Sequence, residues 1–456
     1  MADWLTNALA YIPLWVGYQQ RQNDLPGVSV AIGKGDKVLA AFAFGMADLA
    51  SETKMLPTHR FRVASHSKTF TATAIMLLVE AGRIKLDDRV GDYVPRLHKD
   101  VAAATIRQLL SHSAGIIRDG LDTGQWAQRR PFLNEAELRA ELAQPPVIPA
   151  NTRMKYSNHG FGLLGLLIEA MTGEAYDIWM QREVIAKVKL RYTFPDAPAT
   201  GMAPLSAGHS SKILLGKRAV IPTDTPTNAL AAATGFISTA ADLVRFFSQL
   251  DPAAPDSILS VESRREMTRR QWPVPDQAAG RHYGLGTIQG DIGDWSWFGH
   301  SGGFPGMTTH TAVIPSQGLT ISVLTNATDG APATYFDGIT RILQACAKHG
   351  PPVQRVLPWT GRWWNTHGAV DLLALGETVF VAAPGQADPL ADVPELEVVG
   401  PDSARVRRAG GFASHGETAR LLRARGGALN GLYLAGSKLL LERDAIKEAE
   451  ARYFPE

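Results

Sequence analysis

Residues 61–81 read FRVASHSKTFTATAIMLLVEA, and this stretch decides the fold. After Ser65 the apolar side chains recur at helical spacing, and Gly82 is typical of a helix end. The sequence therefore predicts a long, mostly buried helix that begins near Ser65. Lys68 follows Ser65 by three residues, so both side chains would lie on one face of this helix.

The Ser65 and Lys68 pair is a candidate catalytic centre. A serine hydroxyl is a weak nucleophile unless a nearby base removes its proton. Lysine can serve as that base where burial, positive charge or hydrogen bonding favours its neutral form. The backbone N–H groups at a helix start can also stabilise an oxyanion. Taken alone, this spacing is common by chance and is more typical of a solvated serine and a lysine on a helix surface.

A second motif, Tyr156-Ser157-Asn158, stands just before another apolar helix. A tyrosine near lysines can be pushed toward phenolate and can share a proton relay. Asn158 can orient Lys68 and donate to a substrate amide carbonyl. The alternative for this motif is an ordinary helix cap beside a packed tyrosine.

A third motif, His300-Ser301-Gly302-Gly303, follows a strand-like run at 295–298. Glycines at 302 and 303 allow a substrate backbone to lie close against a strand edge. The N–H of Gly303 is a candidate second donor to an oxyanion. A plain glycine-rich turn is the alternative.

In this order and separation, the three motifs resemble those of the serine β-lactamase and penicillin-binding-protein superfamily. The resemblance covers residues of about 20–345 and is strongest to the branch of class C β-lactamases, esterases and D-aminopeptidases. Further phrases that carry it are Thr105–Gly115 (TIRQLLSHSAG), Tyr156–Gly160 (YSNHG) and Gly235–Leu243 (GFISTAADL).

The resemblance implies an α+β fold, with an antiparallel sheet flanked by helices and an all-helical subdomain. It implies that Ser65 is acylated and that Lys68 and Tyr156 share acid and base duty. It also implies a substrate-binding and oxyanion group made up of Asn158, His300, Gly302, Gly303 and the N–H of Ser65. Segments 116–150 and 200–230 are expected to form the pocket walls.

His300 departs from part of the family. β-Lactamases and DD-peptidases usually have lysine there, and its fixed charge helps to bind a substrate carboxylate. Histidine has a reference pKa of about 6.5 and is not a fixed cation. The family's esterases and D-aminopeptidases often have histidine there, so we predict hydrolysis of small acyl esters or short D-residue peptides and amides. A β-lactamase or DD-carboxypeptidase, and an acylated sensor without turnover, are the alternatives.

The chain is expected to hold two domains, a catalytic domain at 1–350 and a second domain at 355–456. Gly350-Pro351-Pro352 reads as a linker, and short alternating apolar runs follow it. They predict a small antiparallel β-barrel. This barrel resembles the lipocalin-like appendage of D-aminopeptidase-type proteins. The resemblance implies that a loop of the barrel reaches the cleft and limits the size of the substrate. The alternative is a role in packing or oligomerisation only.

The composition limits the other classes of function. A net charge of +2 over 456 residues predicts no bulk attraction to nucleic acid or membrane. The single cysteine, Cys346, excludes an internal disulfide. We expect no cofactor, no metal site and no spanning helix, and a small-molecule or short-peptide substrate. No signal peptide is recognised, which favours the cytoplasm, or the periplasm if a leader was removed. A homo-oligomer is left open.

Overall fold

The computed structural model describes residues 3–198, 204–275 and 280–454. The chain divides into two compact units. One is Leu25–Phe336, and the other combines Met1–Asp24 with Asp337–Glu456. The predicted division into 1–350 and 355–456 stays a prediction about domains, and the two units are described separately below.

Thirteen helices lie in the described residues: α1 (Asp3–Gln22), α2 (His66–Glu80), α3 (Lys99–Ala102), α4 (Ile106–Leu110), α5 (Glu135–Leu142), α6 (Asn158–Thr172), α7 (Tyr176–Met180), α8 (Ala186–Val188), α9 (Ala231–Thr234), α10 (Ala240–Ser248), α11 (Val261–Thr268), α12 (Pro332–His349) and α13 (Glu442–Tyr453). None of them is long and apolar enough to cross a membrane.

The strands of the Leu25–Phe336 unit, within the described part of the chain, are β1 (Gly27–Lys34), β2 (Lys37–Asp48), β3 (Thr53–Lys54), β4 (Phe61–Arg62), β5 (Gly208–His209), β6 (Val220–Ile221), β7 (Ile237–Ser238), β8 (Trp272–Pro273), β9 (His282–Tyr283), β10 (Ile288–Ile292), β11 (Trp295–Phe304), β12 (Met307–Ile314) and β13 (Leu319–Thr325). Nine of them form one sheet in the order β3-β2-β1-β13-β12-β11-β10-β9-β8. Two small pairs, β4-β7 and β5-β6, complete the unit.

The first and last strands of this unit meet in the middle of the sheet. β1 turns back into β2 at Gly35, whose φ of +57° suits a residue without a side chain. On its other edge β1 pairs antiparallel with β13, so that Val30 lies opposite Val323. The two ends of this unit therefore meet in one sheet, in which β11, β12 and β13 are consecutive neighbours.

Helix α2 is buried along most of its length, as the apolar repeat predicts. Phe70 stacks between two aromatic rings, with centroid distances of 4.2 Å to Phe236 and 3.7 Å to Phe246. Thr71 Oγ1 donates to the carbonyl oxygen of Ala232 at 2.6 Å. Packing and hydrogen bonds on several sides therefore fix this helix, which positions the residues at its start.

The second unit contains a closed barrel of eight antiparallel strands. They are β14 (Gly361–Asn365), β15 (Gly368–Leu375), β16 (Thr378–Ala382), β17 (Glu395–Gly400), β18 (Ser403–Arg408), β19 (Thr418–Arg423), β20 (Leu429–Leu434) and β21 (Ser437–Leu440). The predicted α+β fold with a C-terminal β-barrel is confirmed. Alternating apolar runs do not mark β18 or β21 in the sequence, because β18 is rich in arginine and β21 is only four residues long.

Helix α1 packs within this barrel unit. The Tyr11 hydroxyl donates to Asp371 at 2.9 Å, and the Arg362 guanidinium donates to both oxygens of the same carboxylate at 2.6 and 2.8 Å. The N-terminal helix is therefore joined to strands that follow it by about 350 residues.

Candidate active site

Ser65 lies where a short strand turns into the buried helix α2. β4 pairs with β7 just before it, and Ala64 then adopts a φ of +47°. A non-glycine residue in the left-handed region is strained, and such strain is common beside functional groups. Ser65 is the N-cap residue of α2 and is half-buried. The turn therefore presents its hydroxyl at the end of a rigid element.

Lys68 is completely buried and makes three polar contacts. Its Nζ lies 2.6 Å from Asn158 Oδ1, 2.8 Å from the Ala233 carbonyl oxygen and 3.2 Å from Ser65 Oγ. Burial lowers the pKa of Lys68 well below its ordinary value, and the nearby Arg118 lowers it further, whereas Asp119 opposes the shift. The site therefore favours a neutral amine.

A neutral Lys68 has a defined orientation in this site. The Asn158 amide oxygen and the Ala233 carbonyl only accept hydrogen bonds, so they take the two amine protons. The remaining lone pair then faces Ser65 Oγ at 3.2 Å. Lys68 is thus placed to receive the proton of the Ser65 hydroxyl.

Tyr156 contacts the same hydroxyl from another side. Its OH donates to Ser65 Oγ at 2.8 Å. Burial raises the pKa of Tyr156, and the hydrogen bond to Ser65 and the charge of Arg118 only partly offset this effect. The resting site therefore favours a neutral phenol over the phenolate that the sequence reading considered.

Asn158 is held by a carboxylate that the sequence analysis missed. Its Nδ2 donates to Asp119 Oδ1 at 2.5 Å, which directs its Oδ1 toward Lys68. Asp119 is itself buried and forms an ion pair with Arg118, whose Nε lies 3.0 Å from Asp119 Oδ2. Backbone N–H groups of Asn158 and His159 also donate to the Arg118 carbonyl. No motif marks this link, because an Arg-Asp pair in a loop has no distinctive spacing.

The third motif lies on β11, beside the start of α2. A Cβ on Gly302 would lie only 2.2 Å from the Val63 carbonyl oxygen, so the two backbones are in direct contact there. Gly303 is exposed, and a Cβ on it would meet no described atom within 4 Å. β10 pairs with β11 only as far as Gly299, so residues 300–304 pair with β12 alone among the described strands. An open strand edge therefore borders the Ser65 turn.

His300 is buried and electrically neutral in this arrangement. Its Nδ1 lies 2.7 Å from the Ser301 carbonyl oxygen, which only accepts, so Nδ1 carries the proton. Its Nε2 therefore accepts from the Tyr283 hydroxyl at 2.9 Å. Burial lowers the pKa of His300 well below its ordinary value. The sequence reading did not identify Tyr283, since one tyrosine in a short strand gives no signal.

His112 is a further residue of the site without a predicted role. Its ring lies 4.1 Å from that of Tyr156 and 4.7 Å from that of Tyr283. Its Nδ1 accepts from the Ser157 N–H at 3.2 Å, which supports the turn that carries Tyr156. Burial lowers the pKa of His112 well below its ordinary value. This histidine therefore packs the site as a neutral ring.

A cavity of about 710 Å³ lies beside Phe304, the residue after Gly303. Its walls come from residues 125–132 and 222–228, within the two segments expected to form the pocket. The rings of Phe132 and Phe304 stack there at 5.8 Å. Among the described residues, no group of three or more His, Cys, Asp or Glu is arranged to hold a metal ion.

Comparisons with known proteins bear on the family to which the chain belongs. The family model described as Beta-lactamase matches residues 14–345. Penicillin-binding protein 4 of Amycolatopsis lactamdurans is 28% identical over 360 residues, which cover 71% of this chain and 86% of that protein.

Solved structures with a similar fold include the two that follow. The octameric penicillin-binding protein homologue from Pyrococcus abyssi has a TM-score of 0.67 and 22% identity, and the match covers 95% of this chain and 99% of that one. The D-stereospecific amidohydrolase from Streptomyces sp. has a TM-score of 0.59 and 26% identity, with 70% and 95% covered.

Proposed function

Because the chain belongs to the beta-lactamase family, whose members are serine hydrolases, we propose that it cleaves esters or amides through an acyl-enzyme on Ser65. The preferred substrates are small acyl esters or short peptides and amides that contain D-residues. The observation that carries the proposal is the contact of Ser65 Oγ with both Lys68 Nζ, at 3.2 Å, and the Tyr156 hydroxyl, at 2.8 Å.

In the acylation step, Ser65 Oγ attacks the substrate carbonyl carbon and its proton moves to the neutral Lys68. The N–H groups of Ser65 and Gly303 stabilise the negative charge on the carbonyl oxygen. As the bond to the leaving group breaks, Tyr156 gives that group its hydroxyl proton and regains one from Lys68. Water then releases the acyl group by the same path in reverse, and Ser65 recovers its proton.

The neutral His300 favours esters and amides over β-lactams. A penicillin-type carboxylate would lack the fixed cation that the family's lysine supplies at this place. Similarity to a D-stereospecific amidohydrolase at 26% identity supports D-residue amides as one substrate class. Similarity to Penicillin-binding protein 4 keeps the alternative of a β-lactamase or DD-carboxypeptidase open to test.

The test compares the protein with Ser65→Ala on p-nitrophenyl butyrate, D-alanine p-nitroanilide and nitrocefin. We expect turnover of the ester or the anilide, with loss of at least about a thousandfold in the variant. Unchanged turnover in Ser65→Ala would rule the proposal out. Rapid nitrocefin hydrolysis would instead favour a β-lactamase, and a stable adduct in intact-protein mass spectrometry would favour a sensor.

A further inference from the structure

Three large apolar side chains are exposed at the tip of the hairpin formed by β5 and β6. Ile213 is 94% exposed, Leu214 is 89% exposed and Leu215 is 55% exposed. They follow one another in the segment 210–219, which connects the two strands. Single exposed apolar residues are common on protein surfaces, whereas apolar residues that are exposed together mark a contact with a partner or a membrane. We therefore expect another molecule to cover this tip.

The base of the hairpin holds the tip in a defined position. The backbone N–H of His209 donates to the Gly306 carbonyl oxygen at 3.1 Å. Arg218 Nη1 donates to the Ser210 carbonyl oxygen at 2.9 Å and to Asp329 Oδ1 at 2.6 Å. Because the hairpin is already ordered, its tip loses little conformational entropy when it binds a surface.

The charges around the tip have one sign. Lys212 and Lys217 flank the three apolar residues, and both are exposed. The segment 210–221 contains no aspartate or glutamate, and its third cation, Arg218, is held by Asp329 at the base. Apolar side chains with lysines beside them suit a surface that is apolar inside and negatively charged outside, as in a bilayer of anionic phospholipids. The net charge of +2 gives the whole chain no bulk attraction, so this attraction is local.

A second copy of the chain fits the tip less well than a bilayer does. A stable protein–protein interface takes about 20–30 residues from each side, whereas this tip offers three large apolar side chains. In a two-fold symmetric contact the tip would meet itself, so the two lysines of each copy would face like charges. A bilayer needs no complementary shape, and its headgroups carry the opposite charge.

We infer that the tip of the β5–β6 hairpin inserts into the surface of a bilayer that contains anionic phospholipids. Ile213, Leu214 and Leu215 would move from water to the boundary between headgroups and acyl chains, and Lys217 would lie among the phosphates. The inference does not depend on the proposed hydrolysis, because binding to lipid requires no reaction.

The hairpin also borders the candidate active site. A Cβ on Gly208 would lie 3.0 Å from Gly306 Cα, so the backbone of β5 contacts the turn after β11. Pro222, which follows β6, lines the same cavity as Phe304. A protein docked by this hairpin would therefore hold that cavity close to the lipid surface.

Sedimentation with vesicles tests the inference. We expect vesicles of equimolar phosphatidylglycerol and phosphatidylcholine to bind the full-length protein about tenfold more tightly than vesicles of phosphatidylcholine alone, and added salt to reduce this difference. Ile213→Ser combined with Leu214→Ser should weaken binding by about tenfold or more, because the tip loses most of its apolar area. Lys217→Gln should weaken binding several-fold on the anionic vesicles only.

Two exposed residues outside the hairpin supply the matched controls. Leu121 is 92% exposed, but it stands beside Asp122 and without an apolar neighbour in the chain. Lys34 is an exposed lysine at the end of β1. Leu121→Ser and Lys34→Gln should leave binding to both kinds of vesicle unchanged. Failure of the unmodified protein to bind the anionic vesicles, or equal binding by the doubly substituted tip variant, would overturn the inference.

A fluorescent label reports whether the tip itself enters the lipid. The single cysteine of the chain, Cys346, is buried, so Leu214→Cys provides a thiol that can be labelled selectively with an NBD probe. We expect the emission to shift to the blue on the anionic vesicles, and no shift for the same probe on Leu121→Cys. Sedimentation velocity without lipid covers the other occupant. An oligomer that the doubly substituted tip variant dissociates, with no vesicle binding, would overturn the inference and assign the tip to a second copy.

Discussion

Lys68 shows how burial turns an ordinary side chain into a candidate base. Its amine is out of contact with water, and both of its neutral-form protons have acceptors. Because its pKa is lowered well below the ordinary value, the base form is present at a lower pH than for a free lysine. We expect kcat/KM for a neutral ester to rise with pH and to level off well below the ordinary lysine pKa of about 10.4. Stopped-flow or steady-state profiles measure this, and a rise that continues to pH 10 would contradict it.

Replacement of Lys68 by arginine tests the same point with a side chain that reaches the same place but cannot lose its proton. Arginine stays protonated throughout the accessible pH range and cannot act as a base. We predict that Lys68→Arg lowers kcat/KM by about a hundredfold or more, because a positioned base contributes roughly that amount. Single-turnover acylation, followed by mass spectrometry, locates the loss. An equal acylation rate in this variant would assign the base to another group.

The next test introduces at position 300 the lysine that β-lactamases and DD-peptidases usually have there. The position is completely buried, close to Lys68, and bonded to the Tyr283 hydroxyl. We predict that His300→Lys lowers the free energy of unfolding by about 2 kcal/mol or more, because a charged group replaces a satisfied neutral ring. Urea unfolding of His300→Lys and His300→Gln side by side measures the effect. A lysine variant as stable as the glutamine variant would show that the site accepts a cation.

The sequence predicts the candidate nucleophile and the side chains around it. It does not predict the residues that hold those side chains in place. Ser65 and Lys68 share a helix face at fixed spacing, so local geometry alone brings them together. Asp119 and Tyr283 come from loops and short strands whose positions depend on the whole fold. Their partners are 39 and 17 residues away in the chain, and no periodic pattern encodes such contacts.

At the scale of elements, the close contact between β11 and the segment before α2 brings the third motif next to Ser65. A Cβ on Gly302 would lie 2.2 Å from the Val63 carbonyl oxygen, whereas one on Gly303 would meet nothing within 4 Å among the described atoms. We predict that Gly302→Ala destabilises the protein by about 1–3 kcal/mol and separates the strand from the helix. Gly303→Ala is the matched control for stability.

Thermal and urea unfolding of these two alanine variants provide the readout. We expect a lower unfolding midpoint for Gly302→Ala and an almost unchanged midpoint for Gly303→Ala. Ester hydrolysis should fall in Gly302→Ala, since its strand carries the proposed oxyanion donor. Equal stability of the two variants would mean that the strand can shift without cost.

The long elements follow from local signals. Helix α6 begins after Ser157, whose Oγ accepts from the Gly160 N–H at 2.9 Å, and ends at Gly173, with a φ of +73°. A capping serine before a helix and a glycine after it are standard boundary signals in a sequence. The short strands β4 and β7 give no such signal, because two residues are too few for a periodic pattern. These two strands pair only because the rest of the fold brings their distant segments of the chain together.

At the scale of the whole molecule, the grouping of α1 with the barrel unit could not be predicted from sequence. The helix is the first element of the chain, and the sequence reading assigned it to the domain that follows it. Its partners, Asp371 and Ala374, lie more than 350 residues downstream. The pattern of an amphipathic helix predicts an apolar face, but it does not predict which surface covers that face.

The carboxylate that joins α1 to the barrel provides the last prediction. Asp371 is 4% exposed and accepts from Arg362 and from Tyr11, so loss of its charge leaves a largely buried guanidinium unpaired. We predict that Asp371→Asn lowers the free energy of unfolding of the barrel unit by about 3 kcal/mol. The exposed pair of Arg355 and Glu377 supplies the control, and Glu377→Gln should change stability by less than about 0.5 kcal/mol. Hydrogen exchange of the amides in β14 and β15, measured by mass spectrometry, assigns the effect to the barrel. Equal exchange in Asp371→Asn and Glu377→Gln would show that the buried ion pair stabilises the barrel no more than the exposed ion pair does.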